Sequence, residues 1–190
     1  MAYCRMGLTT IANRRFCGAG MDYIIERMTE GYWDEVSSIF VQGLETGNAT
    51  FETEAPDWAR WNRTHLAQPR LVARAGGRIV GWDALSPVTE RCVHSGVAEV
   101  SLYVAASARR RGVGSALLTA LIEGAEQCGI WTLQGGIFPE NLASLGLVKK
   151  HGFREVGRRE KLGKMLYGPL AGTWRDVVFV ERRSRVVGVE

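Results

Sequence analysis

Glu99 to Ala125 read EVSLYVAASARRRGVGSALLTALIEGA, and the apolar residues change period partway along. Val100, Leu102 and Val104 alternate with Ser101 and Tyr103 as in a strand, whereas Val113, Leu117, Ala120 and Leu121 recur at helical spacing. A strand therefore runs into a helix. Between them lies Arg109-Arg110-Arg111-Gly112-Val113-Gly114. Its glycines allow close approach of the backbone, the first helical turn offers unpaired N–H groups, and the positive end of the helix dipole adds to the arginines. Together these predict a site for a pyrophosphate. The simpler alternative is a basic left-handed turn with solvated arginines. Two phosphate loops are excluded: the third glycine of Gly-x-Gly-x-x-Gly falls on Leu117, and no Gly-Lys-Ser/Thr follows.

Arg109-x-x-Gly112-x-Gly114 after a hydrophobic strand resembles the acetyl-CoA signature of the GCN5-related N-acetyltransferases (GNAT), Arg/Gln-x-x-Gly-x-Gly/Ala. GNATFET from Gly47, AEVSLYV from Ala98, GIFPENLASLGL from Gly136, Gly152-Phe153 and TWRDVVFVERR from Thr173 resemble the phosphinothricin, methionine sulfoximine and arsinothricin acetyltransferase branch. The resemblance spans Tyr23 to Ser184. It implies an α/β GNAT fold, with a mixed, mostly antiparallel sheet of about seven strands, splayed in the centre and flanked by helices. It also implies acetyl-CoA as acetyl donor, no metal, a small-molecule amine as acceptor, and a homodimer.

Composition agrees with one such domain. The 190 residues are 46% hydrophobic, enough for a real core, and the net charge is only +4. Basic residues are scattered outside Arg109–Arg111, which disfavours a nucleic-acid face. Cys4, Cys17, Cys92 and Cys128 show neither Cys-x-x-Cys nor a zinc spacing, and read as reduced thiols of a cytoplasmic protein. No apolar run approaches the about 18 residues of a membrane span. Residues 1–20 read as an N-terminal extension outside the fold, residues 21–184 as the acetyltransferase domain, and residues 185–190 as a C-terminal tail, with Arg182, Arg183 and Arg185 near the end reading as solvated.

Along the chain, strands are expected at Tyr23–Arg27, Leu71–Arg74, Arg78–Pro87, Glu99–Val104, Trp131–Ile137, Phe153–Lys164 and Thr173–Glu181, with a hairpin turn at Gly76-Gly77. Helices are expected before Gly47 with Val36, Ile39, Phe40 and Leu44 on one face, over Asp57–His65 with Pro56 in the first turn, over Gly114–Cys128, and over Asn141–His151. Asn141 is placed to cap the last of these.

The resemblance assigns roles to particular residues. The pantetheine arm would lie against Leu102, Tyr103 and Val104, pairing with their backbone where the central strands splay. Arg109, Arg110, Arg111, Gly112, Val113, Gly114 and Ser115 would hold the pyrophosphate. Asn141 would combine capping with a bond to the pantetheine, joined by Ser144, while Lys149 is either a phosphate contact or a wet helix face. Thr50, Phe51 and Glu52 would border the acceptor, or else make capping and staple contacts for the next helix. Arg91 offers a fork for a substrate carboxylate or phosphinate, or else is a solvated loop arginine, and His94 is a weaker candidate.

Acetyl transfer needs a deprotonated amine, and Glu99, where the family has glutamate, is the expected base, its pKa raised by burial; the alternative is an edge-of-sheet glutamate paired to an arginine. A backbone N–H near Tyr103 or Val104 would polarise the thioester oxygen. Two positions depart from the family. Val148 stands where relatives often carry Tyr or His as proton donor, with His151 one turn on, and Arg110 replaces a common glycine. The favoured acceptor is a small glutamate-like acid; another amine, or acyl-CoA binding without catalysis, are the alternatives.

Overall fold

In the computed structural model, which describes residues 14–18 and 20–189, the quoted stretch forms β5 (Val97–Val104) and α3 (Val113–Gln127). The other elements are β1 (Arg14–Gly18), β2 (Met21–Arg27), α1 (Trp33–Glu45), α2 (Trp58–Thr64), β3 (Arg70–Ala75), β4 (Arg78–Pro87), β6 (Thr132–Ile137), α4 (Leu142–Lys150), β7 (Arg154–Lys164) and β8 (Trp174–Arg183). One sheet runs β1-β2-β3-β4-β5-β6-β8-β7. Every neighbouring pair is antiparallel except β5 and β6. The expected α/β architecture is therefore present, with one strand more than the sequence reading counts.

The extra strand corrects the reading of residues 1–20 as lying outside the fold. Arg14–Gly18 pair with β2, Phe16 stacks on Tyr23 with ring centroids 5.5 Å apart, and Arg14 Nη1 meets Glu123 Oε2 at 2.8 Å. Residues 1–13 and 19 lie outside the described residues. The C-terminal arginines also differ from a solvated tail: Arg182 pairs with Glu126 at 3.0 Å, and Arg183 donates to the Trp131 carbonyl at 2.9 Å and to the Gly188 carbonyl.

Gly76 and Gly77 take φ of +55° and +82°, the left-handed pair that a tight β3–β4 hairpin requires. Helix α2 starts at Trp58 instead of within reach of Pro56, because the Asp57 carboxylate accepts the Arg60 N–H at 2.6 Å and so sets the cap.

The sheet separates two layers. On one face α3 buries Leu117, Leu118 and Leu121 completely, against Leu71 and Val80 on one side and Leu85, Leu133, Val178 and Val180 on the other. Each such leucine contributes about 1.5–3 kcal/mol. The opposite face carries α1 and α2 over Val72, Trp82 and Ala84, with Trp33, Trp58, Trp61 and Tyr103 packed around them. A smaller cluster of Phe138, Met165 and Val177, with Phe51 and Tyr167, lies under the segment after α1.

Candidate active site

Strands β5 and β6 pair only at Val97–Thr132, Ala98–Leu133 and Glu99–Gln134. They then part: β5 continues along β4 to Val104, and β6 continues along β8 to Ile137. The expected central splay is thus a fork with Glu99 at its base. Backbone direction follows from the hydrogen bonds at either end of β5. The Ala105 N–H donates to Val80 O on the β4 side, whereas Gly96 O accepts from Trp131 and Thr132 on the β6 side. Strand alternation then turns the N–H and C=O of Leu102 and Val104 into the fork and those of Tyr103 toward β4. Of the two residues expected to supply a polarising N–H, Val104 faces the opening. Tyr103 does not; its ring stacks on Trp82 at 4.8 Å and burial holds its phenol well above the ordinary value.

On the α3 face, the fork leads to the basic loop. Gly112, at φ +84°, precedes α3, and the helix then offers the N–H groups of Val113, Gly114 and Ser115, which have no carbonyl four residues back within the helix. Arg110 adopts φ +60°, the left-handed region, which is why a glycine suits this position. Arg109 and Arg110 are exposed and Arg111 half-buried; Arg109 Nε bends back to the Val104 carbonyl at 3.3 Å. A Cβ on Gly114 would stand 3.4 Å from Leu147, 3.5 Å from Val104 and 3.7 Å from Leu102. The glycine thus lies where α3, α4 and the open edge of β5 approach one another. A narrow unpaired strand edge ending on a helix N-terminus suits an extended chain with a diphosphate at one end.

Helix α4 closes the other wall. Ser115 Oγ lies 3.1 Å from His151 Nε2, and His151 Nδ1 lies 2.9 Å from the Leu147 carbonyl. Val148 is half-buried and packs against the α3-side core. Asn141 caps the helix as expected, its Oδ1 accepting the half-buried Ser144 N–H at 3.1 Å, but its Nδ2 donates to the Asn48 carbonyl at 3.0 Å. Lys149 is exposed on the outer face of α4.

Residues 47–53 lie on the other face. Thr50 Oγ1 accepts the Glu52 N–H at 3.1 Å, the Thr50 carbonyl accepts the Tyr167 hydroxyl at 3.0 Å, and the Phe51 ring meets Phe138 edge-on at 4.9 Å. The staple and capping alternative for these residues is set aside, since Asp57 caps α2 and Phe51 packs toward β7 and β8. Glu52 is exposed.

Glu99 departs from expectation in one respect: it is exposed. Helices α1 and α2 cover the Tyr103 end of β5, and Glu99 stands at the other end on the same face, so its carboxylate is reachable from that face. Arg91 and His94 are also exposed, at a single 3-10 turn in the β4–β5 connection. Among the described residues neither makes a hydrogen bond or ion pair with residues 47–53.

Sequence reasoning passed over the groups that hold this loop. Arg175 of β8 is 5% exposed; its Nη1 donates to Gly47 O at 2.9 Å and its Nη2 to Asn48 Oδ1 and Glu140 Oε2, each at 2.8 Å. Gly163 and Tyr167 complete the support, a Cβ on Gly163 falling 2.7 Å from the Phe51 ring. An arginine at an inward position of an alternating strand was the available signal, but nothing local says which loop it reaches.

Comparison with known proteins bears on this geometry. The family described as "Acetyltransferase (GNAT) family" matches residues 26–153. Phosphinothricin N-acetyltransferase of Alcaligenes faecalis is 31% identical over 155 residues, 77% of this chain and 75% of that protein. The L-methionine sulfoximine/L-methionine sulfone acetyltransferase of Pseudomonas aeruginosa is 32% identical over 120 residues, 63% of this chain and 67% of that protein. Among solved structures, a GNAT superfamily phosphinothricin acetyltransferase from Sinorhizobium meliloti in complex with AcCoA superposes with a TM-score of 0.78 at 22% identity, covering 88% of this chain and 91% of that one. This last likeness is one of fold.

Proposed function

The chain belongs to the acetyltransferase (GNAT) family, and from that premise we propose that it moves the acetyl group of acetyl-CoA to the α-amino group of a small glutamate-like acid of the phosphinothricin, methionine sulfoximine or arsinothricin type. The observation that carries the reading is the fork: β5 parts from β6 beyond Glu99, and its unpaired edge ends on the N–H groups of α3. The acceptor class rests on the names of the relatives at about 30% identity.

When bound, acetyl-CoA supplies the acetyl group as a thioester. Leu102 and Val104 offer their backbone edge to its pantetheine, the Gly112–Ser115 turn and Arg109–Arg111 hold its diphosphate, and Val104 N–H is the group available to polarise a carbonyl oxygen in the fork. Glu99, at the base of the fork, takes the proton from the acceptor ammonium, directly or through one water. Its exposure suits that relay. Arg91 offers the acceptor's acid group a bidentate partner. Solvent returns a proton to the leaving sulfur, since the valine side chain at position 148 has no proton to donate and both ring nitrogens of His151 face partners in the protein. A homodimer is part of the proposal; Val156, Leu162 and Trp174 stand exposed on β7 and β8.

The test is release of free thiol by the purified protein with acetyl-CoA and these three amines, beside an amino sugar, a polyamine and a peptide N-terminus. Glu99→Gln is expected to lower kcat by about 100-fold or more with acetyl-CoA affinity retained. Arg91→Ala is expected to remove the preference for acid-bearing amines. Turnover confined to the other amines overturns the acceptor assignment; stabilisation by acetyl-CoA with no turnover on any amine overturns catalysis.

A further inference from the structure

We propose that Arg175 is a positioning residue that ties the acceptor side of the site to its cofactor side, an inference that rests on the acetyl transfer proposed above. Arg175 lies on β8, on the face away from α3, opposite Gly163 of β7. Its guanidinium reaches both walls at once. Toward the acceptor side it donates to the Gly47 carbonyl at 2.9 Å and to Asn48 Oδ1 at 2.8 Å. Toward α4 it donates to Glu140 Oε2 at 2.8 Å, the residue preceding Asn141. Phe138 lies under the guanidinium, 4.0 Å from Cζ to ring centroid, and Phe51 rests edge-on against Phe138.

Asn48 is consequently gripped twice. Arg175 takes its side-chain oxygen, and Asn141 Nδ2 donates to its main-chain carbonyl at 3.0 Å. Through these bonds a movement at the start of α4, where Asn141 sits, is passed to the loop carrying Thr50 and Phe51. The coupling is stiff because the cation is 5% exposed and its bond to the Gly47 carbonyl is buried, so losing that acceptor leaves a buried charge short of a partner and the loop is held where the bond is made. The planar fork serves three acceptors from two segments, which a lysine ammonium on a flexible stem does not reproduce. Glu140 responds to the same contact, its carboxyl held below the ordinary range by the Arg175 hydrogen bond. Arg175 itself touches neither the acceptor nor the reacting carbonyl; it sets where Asn141 and residues 50–51 stand relative to each other.

The variant is Arg175→Lys, with Asn48→Ala as the second variant because it removes the same loop contact without placing a new group in the core. Three measurements are made on the full chain: hydrogen–deuterium exchange over residues 47–53 with and without acetyl-CoA, calorimetry of acetyl-CoA, and kinetics with methionine sulfoximine. In the parent protein acetyl-CoA is expected to slow exchange over residues 47–53. Both variants are expected to lose that slowing and to raise the acceptor KM about tenfold or more, with kcat and acetyl-CoA Kd within about threefold, as misplacement of the acceptor side alone predicts. Parent-like slowing in both variants, or acetyl-CoA affinity falling in step with the acceptor KM, overturns the proposal, the latter because it marks a general structural role. Absence of turnover in the parent overturns the acetyl-transfer reading separately, and the exchange comparison still decides Arg175.

Discussion

Asp83→Asn is expected to make this protein more stable above about pH 5 and to flatten its pH dependence. Asp83 sits in the middle of β4 with Leu71 and Leu102 as register partners on the two sides, wholly buried, and neither carboxylate oxygen has a hydrogen-bond partner. Burial pushes its pKa well above the ordinary carboxylate value. The folded protein therefore keeps a proton that the unfolded chain releases near pH 4. Where the unfolded chain binds fewer protons, stability falls as pH rises, at about 1.4 kcal/mol per pH unit for one group. Asparagine keeps the shape and has nothing to ionise, so the difference between variant and parent isolates this single group from every other carboxylate. From pH 5 to pH 6 the gap in melting temperature is expected to widen by about 3–6 °C in favour of the variant, at about 2–4 °C per kcal/mol for a chain of this size. Thermal unfolding followed by circular dichroism at half-unit pH steps reads this directly. Parallel pH profiles, or a gap that narrows as pH rises, would refute the argument that Asp83 is held protonated in the core.

Gly114→Ala should leave the fold intact or stabilise it by up to about 1 kcal/mol through helix propensity, its Cβ meeting neighbours at ordinary distances, and should keep acetyl-CoA affinity in calorimetry within about threefold because the main-chain N–H groups of the turn are unchanged; a loss of about tenfold or more would refute that reading. Removing the α2 cap with Asp57→Ala should cost about 1 kcal/mol in denaturant unfolding, while leaving acetyl-CoA affinity unchanged. Phe16→Ala, which strips the stack from Tyr23 at the sheet edge, should lower stability by about 1–2 kcal/mol; an unaltered unfolding midpoint would return residues 14–18 to the status of an appendage.

Period, turn chemistry and loop composition are local properties, and what they governed was legible before any coordinates. The alternation of Val100, Leu102 and Val104, the helical spacing from Val113, the Gly76-Gly77 hairpin and the Asn141 cap all stand in the fold, because each depends on residues a few places apart. The left-handed turn at Gly112 belongs with them. Arg14–Gly18 escaped the same reading because a short edge strand gains its pairing from β2 and its packing from Tyr23, not from a pattern of its own.

What tertiary structure alone decided lies in contacts between distant parts of the chain. Glu99 stands at the base of the fork and in the open because β6 diverges just there and α1 and α2, on its own face of the sheet, pack over the Tyr103 end of β5. Asp83 is orphaned because its register partners on both sides are leucines. Arg175 grips a loop more than a hundred residues earlier because β8 inserts between β6 and β7, carrying a late strand beneath an early loop. Sequence specifies each element through short-range periodicity, but which side chains meet across elements follows from strand order and register, and those emerge only when the whole sheet is assembled.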